Sequence, residues 1–150
     1  MRARFTEAMK EAMRAGDKPR LATVRLIQAA LKEKDIEARG AGRTEASEEE
    51  ILAMLQKMIK QRQESAEIYE KGGRPELAEQ ERAEIAVIAS FLPQQMDEAE
   101  VGAVIDAAIA ETGAAGIKDM GKVIGALKAK YAGRMDFAKA SAMVKAKLAG

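Results

Sequence analysis

Tyr69-Glu70-Lys71-Gly72-Gly73-Arg74-Pro75-Glu76-Leu77 interrupts an otherwise unbroken run of helix formers. Paired glycines end one helix, and Pro75 sits in the first turn of the next, where its missing N–H costs nothing. Upstream, Ser47-Glu48-Glu49-Glu50 reads as a capping box that opens a helix, and Pro93 bounds the segment downstream. Ile51, Leu55, Met58, Arg62, Ser65 or Ala66, and Tyr69 recur at three- and four-residue spacing. The stretch is a long αα-hairpin, with helices expected from Ser47 to about Lys71 and from Arg74 to Pro93.

The rest of the chain follows the same grammar. A helix is expected over about Arg2–Ala15, with Phe5, Ala8, Met9, Ala12 and Met13 on one face and Gly16 as its stop. Asp17 then caps a helix that carries Leu21, Val24, Ile27, Gln28 and Leu31 and frays near Arg39. Residues 40–46 read as a mobile loop without structure. Pro93-Gln94-Gln95-Met96 reads as a linker, and Asp97-x-x-Glu100 as a second capping box. Three helices follow, ending at about Thr112, Ala132 and the chain's last residues. Val101, Val104, Ile105, Ala108 and Ile109 line the first, and Phe137, Ala140, Val144 and Leu148 the last. No period-2 run or hairpin dipeptide suggests a strand. The expected fold is all-α: an N-terminal helical domain over 1–92, a linker over 93–96 and a three-helix bundle over 97–150.

Composition closes most chemistry. The 150 residues include no His, no Cys and no Trp. Histidine-based triads, thiolate catalysis, disulfides and the usual zinc sites are excluded. Five scattered aromatics make no base-stacking platform. No cofactor or metal site is expected, and no catalytic residue is assigned. There is no long apolar run to span a membrane. The early Arg2, Arg4 and Glu7 lack the pattern of an export signal, which points to the cytoplasm.

Charge is distributed unevenly. Residues 1–93 are net neutral, 94–116 hold five acids and no base, and 117–150 hold eight bases against two acids. The bases are Lys118, Lys122, Lys128, Lys130, Arg134, Lys139, Lys145 and Lys147. They admit two readings, a surface for a phosphate backbone or a solvated helix face. Lys118 and Lys122 are four apart and therefore expected on one helical face. Gly121 and Gly125 fall inside the same expected helix, where glycine is costly. Close helix packing is the expected reason at Gly121. At Gly125 packing and close approach of an RNA backbone both remain open. Arg62 falls on a face that should be core, so it is expected to pair across the hairpin with Glu81 or Glu84.

Three groups of motifs together resemble a known family. The first is Leu21-x-x-x-Arg25-Leu26-x-x-Ala29-Ala30-Leu31-Lys32. The second joins Lys60-Gln61-Arg62-x-x-Ser65-x-x-x-Tyr69-x-x-Gly72-Gly73-Arg74-x-x-Leu77-Ala78-x-x-Glu81 to Glu84-Ile85-x-x-Ile88-x-x-Phe91-Leu92-Pro93. The third is Asp119-Met120-Gly121-Lys122-Val123 with Gly133-Arg134-Met135-Asp136. Together they resemble the YqeY family of GatB/YqeY-domain proteins over nearly the whole chain. Met135 departs from the small residue expected before Asp136.

The resemblance implies two helical domains. The second is similar to the tail of the GatB subunit of tRNA-dependent amidotransferases, which contacts tRNA away from the chemical centre. It further implies a label of carbon–nitrogen ligase activity with glutamine as amide donor. The kinase, transamidase and glutaminase modules of such an enzyme have no counterpart here. The expected function is thus a tRNA-binding or tRNA-recruiting module that uses Lys118, Gly121, Lys122, Gly125, Lys128, Lys130, Arg134 and Lys139. Translation or amidotransferase components are candidate partners. The alternative is a protein–protein adaptor with no RNA ligand.

Overall fold

A computed structural model describes residues 1–149. Its described residues form seven α-helices and no strand: α1 (Arg2–Ala15), α2 (Lys18–Gly40), α3 (Glu48–Lys71), α4 (Pro75–Ala89), α5 (Glu98–Thr112), α6 (Met120–Tyr131) and α7 (Phe137–Ala149). A single 3₁₀ turn, Ile117–Asp119, precedes α6. The chain divides into two compact units, Met1–Leu92 and Pro93–Gly150.

In the first unit α1 folds back on α2 and α3 on α4. The turn between α3 and α4 closes as a Schellman motif. Arg74 N–H donates to Tyr69 O at 2.8 Å and Gly73 N–H to Glu70 O at 3.2 Å. Gly73 takes φ +74°, which a side chain would strain. Both expected capping boxes form, at Ser47/Glu50 and Asp97/Glu100. The core gathers Phe5, Val24, Ile27, Leu31, Ile51, Leu55, Ile88 and Phe91. Phe5 and Phe91 meet edge-to-face with ring centroids 5.0 Å apart.

Two expectations fail in this unit. The helix expected to reach Pro93 stops at Ala89. Phe91 must turn inward to meet Phe5, and the Arg4 guanidinium takes the exposed carbonyls of Ser90 (3.1 Å) and Phe91 (3.2 Å). The stretch after α2, expected to be a mobile loop, is pinned. Asp35 accepts two hydrogen bonds from Arg2, both at 2.7 Å, and one from Ala46 N–H at 2.9 Å. Arg2 also donates to Ala46 O at 3.0 Å, and Ala46 is buried. An arginine 33 residues upstream of its acid organises this loop, which no local pattern announces.

The second unit is a three-helix bundle around Val101, Ile105, Ala108, Val123, Leu127, Met135, Ala140 and Val144. Residues 93–96, expected as a linker, are built into it. Met96 N–H donates to Arg134 O (2.9 Å), Arg134 Nε to Gln94 O (3.0 Å) and Gln95 Nε2 to Gly133 O (2.6 Å). Met135, the departure from the family pattern, is a core residue.

Candidate nucleic-acid interface

The basic residues of the second unit do not form one undivided surface. Lys130 Nζ lies 3.1 Å from Glu111 Oε2, and Lys147 Nζ 2.7 Å from Asp106 Oδ1. Two acids of α5 are therefore neutralised by α6 and α7, and Lys130 is committed to an ion pair. Arg134 is committed as well. Its guanidinium holds the Gln94 carbonyl and lies 6.0 Å from the Tyr131 ring centroid. Both residues belong to the expected RNA-binding set, and both serve the bundle's internal structure.

Lys118 and Lys122 do not share an α-helical face, because Lys118 lies in the 3₁₀ turn and α6 begins at Met120. Asp119 between them is the local organiser. Its Oδ2 accepts Ala115 N–H at 3.0 Å, and Lys122 Nζ approaches its Oδ1 at 3.9 Å. The backbone donor first, then the neighbouring lysines, hold the Asp119 carboxyl below its usual range. The turn thereby fixes where the basic stretch begins.

Gly121 is not a packing glycine. A Cβ built there, or at Gly125, meets nothing within 4 Å, and both residues are exposed. The expectation of close helix approach at Gly121 is overturned. Helix geometry instead places Gly121, Gly125 and Lys128, at spacings of four and three, on one stripe of α6. Lys128 Nζ stands 5.9 Å from the Phe137 ring centroid, so this stripe runs along the α7 side of α6.

On α7 the counterpart is Ala138, Ala142 and Lys145. Lys147 reaches α5, and Lys145, two residues earlier, therefore lies on the flank away from α5, since each residue turns the helix by roughly 100°. Lys139 is exposed one turn into α7, after Asp136, whose carboxylate accepts the Ala138 N–H at 2.9 Å. Among the described residues, Lys128, Lys139 and Lys145 have no carboxylate within ion-pair distance. What results is a face of exposed glycine and alanine bordered by lysines. Lys145 belongs to the basic set but not to the narrower expected RNA-binding set, and the α7 stripe at four- and three-residue spacing brings it to this face.

In the first unit Arg62 Nε donates to Glu84 Oε2 at 3.0 Å, and its Nη1 donates to Met58 O at 3.1 Å. Of the two expected acids, Glu84 takes the bond. Glu81 lies beside it, and burial, then the adjacent Glu84 charge, push its carboxyl above the usual range. The ion pair uses the arginine within the hairpin.

The same chain features appear in known proteins. A family model described as "Yqey-like protein" matches residues 2–148. The chain is 32% identical over 111 residues to "Altered inheritance of mitochondria protein 41, mitochondrial" of Lachancea thermotolerans, covering 73% of this chain and 58% of that protein. A protein of the same name from Pyrenophora tritici-repentis is 28% identical over 133 residues, covering 87% and 71%. The chain thus spans little more than half the length of the first of these relatives. Among the described residues no helix is long and apolar enough to cross a membrane. With its paired-glycine hairpin, its Arg62–Glu84 clasp and its capped three-helix bundle all inside the matched span, the chain belongs to the YqeY-like protein family.

Proposed function

We propose that this chain is a tRNA-binding module whose second unit grips the RNA backbone through Lys118, Lys122, Lys128, Lys139 and Lys145. One observation carries the reading. Asp106 and Glu111 of α5 are paired with Lys147 and Lys130, while Lys128, Lys139 and Lys145 have no carboxylate within ion-pair distance and border an exposed strip where Gly121 and Gly125 leave helix backbone uncovered. A lysine is a compact point charge suited to phosphate, and an uncovered helix backbone lets a phosphate come close. Contacts of this type give affinity and orientation without base readout. The resemblance to the tail of an amidotransferase subunit supports tRNA as the RNA. The reading applies in any compartment that holds tRNA, cytoplasm and mitochondrion alike.

The test is equilibrium binding of labelled tRNA to the purified chain at low salt, beside a neutral polymer of similar size. The reading expects saturable binding to tRNA and none to the polymer. Equal behaviour of the two leaves the adaptor role as the better account. Incubation with mischarged Glu-tRNA, ATP and glutamine is expected to give no amidated product, because the chain supplies grip and no transamidation machinery.

A further inference from the structure

The outer face of α2 carries a second pattern, independent of the lysines of the second unit. Val24, Ile27, Leu31 and Ala38 face the core. On the opposite side Ala22, Leu26, Ala29, Glu33, Ile36 and Gly40 follow at alternating spacings of four and three, and all are exposed. Leu26 is 44% and Ile36 54% exposed, although both are large and apolar. This alternation is the a/d repeat by which one helix seats against another. Arg25, Lys32 and Arg39 recur every seven residues along one edge of it. Among the described residues Arg25 and Lys32 have no carboxylate partner, and Arg39 donates to Thr44 O at 3.4 Å.

We infer that the outer face of α2 is a docking surface for an amphipathic helix of another protein, with apolar residues in its seam and an acidic edge. Charge decides the occupant. The edge of Arg25, Lys32 and Arg39 calls for carboxylates beside it. Glu33 lies within the seam itself and calls for a cation or a small polar residue opposite. An RNA phosphate backbone would meet Glu33 and leave Leu26 and Ile36 unused, and an acidic lipid surface, which buries apolar side chains, would have to bury Glu33 between them. A second copy of this chain fits no better. Parallel in-register pairing stacks Glu33 on Glu33, and antiparallel pairing sets the basic edges against each other. From Ala22 to Ile36 the seam is about 21 Å long, which suits a small and transient interface.

The probe is a helical peptide of about three heptads, with Leu and Ile in its seam, one Lys placed opposite Glu33, and Glu along the facing edge. Amide and methyl NMR of the full chain would follow its titration. The expected result is saturable shifts centred on Leu26 and Ile36, with affinity in the micromolar range, falling with salt. A control peptide with its edge Glu residues changed to Lys should bind at least tenfold more weakly. Leu26→Ser with Ile36→Ser, and Arg25→Glu with Lys32→Glu, should each lower affinity at least tenfold while helicity and unfolding midpoint are retained. These residues are exposed, so their exchange leaves the core intact. The inference is overturned if the two peptides bind alike, or if shifts map away from α2. It is also overturned if tRNA or anionic vesicles perturb this face more strongly than the acidic-edged peptide. Loss of tRNA binding by the second unit would leave it untouched.

Discussion

Arg62 is held on the apolar side of α3 because its charge is answered there. Its side chain is 16% exposed and that of Glu84 21%, so neither is free to exchange its partner for bulk water. Arg62→Ala should destabilise the fold by roughly 1–3 kcal/mol in denaturant unfolding, since it strands a half-buried carboxylate and the Met58 carbonyl. A variant as stable as the parent would show that the pair contributes nothing. Two other acids should give opposite pH responses. Arg2 and the Ala46 N–H hold the Asp35 carboxyl well below its ordinary range. Its contribution is present above the unfolded pKa and is lost as pH falls through the folded one. Asp35→Asn should therefore lower stability at pH 7 and flatten the decline on acidification. Glu81 is displaced upward by burial and by Glu84. Its contribution is full below the unfolded pKa and is lost as pH rises through the folded one. Glu81→Gln should be neutral or stabilising at pH 7. Unfolding midpoints across pH 3–8 check both signs.

At the scale of elements, helix starts and stops were legible because local chemistry sets them. Ser47, Asp97, Gly16 and the Gly72-Gly73 pair act through bonds within a few residues of themselves. What local chemistry does not determine was not legible. The 41–47 loop owes its order to Arg2 and Asp35, and α4 ends early because Arg4 takes the Ser90 and Phe91 carbonyls that follow it and Phe5 packs on the Phe91 ring. Limited proteolysis should spare this loop in the parent chain and cut it in Arg2→Ala, which unties Asp35 and Ala46. The glycines of α6 were visible, but their reason was not. Since nothing packs on them, Gly121→Ala with Gly125→Ala should stabilise the fold, by about 1 kcal/mol at Gly125 inside α6 and by less at Gly121 in its first turn. The same change should weaken tRNA binding by covering the exposed backbone. Stabilisation with unchanged affinity would remove the glycines from the interface.

At the scale of the molecule, net charge by segment foresaw a basic end but not its internal cancellation. Which lysine meets which acid depends on how α5, α6 and α7 pack, and that placed Lys130 and Lys147 on α5 while sparing Lys128, Lys139 and Lys145. The boundary between units follows the same logic. Gln94, Gln95 and Met96 carry hydrogen bonds into the Gly133–Arg134 turn, so a fragment of 93–150 should fold and unfold more cooperatively than one of 97–150.

In the proposed function the lysine-bordered strip between α6 and α7 grips the tRNA backbone. The measurement that tests it most directly is tRNA affinity as a function of salt for the parent, for Lys122→Glu with Lys128→Glu, and for Glu98→Lys with Glu100→Lys. Counterion release predicts that log affinity falls linearly with log salt in the parent. It also predicts that the lysine reversals abolish binding with the fold intact, and that the α5 reversals leave binding as strong or stronger. A flat salt dependence, or equal losses in both variants, would contradict the account.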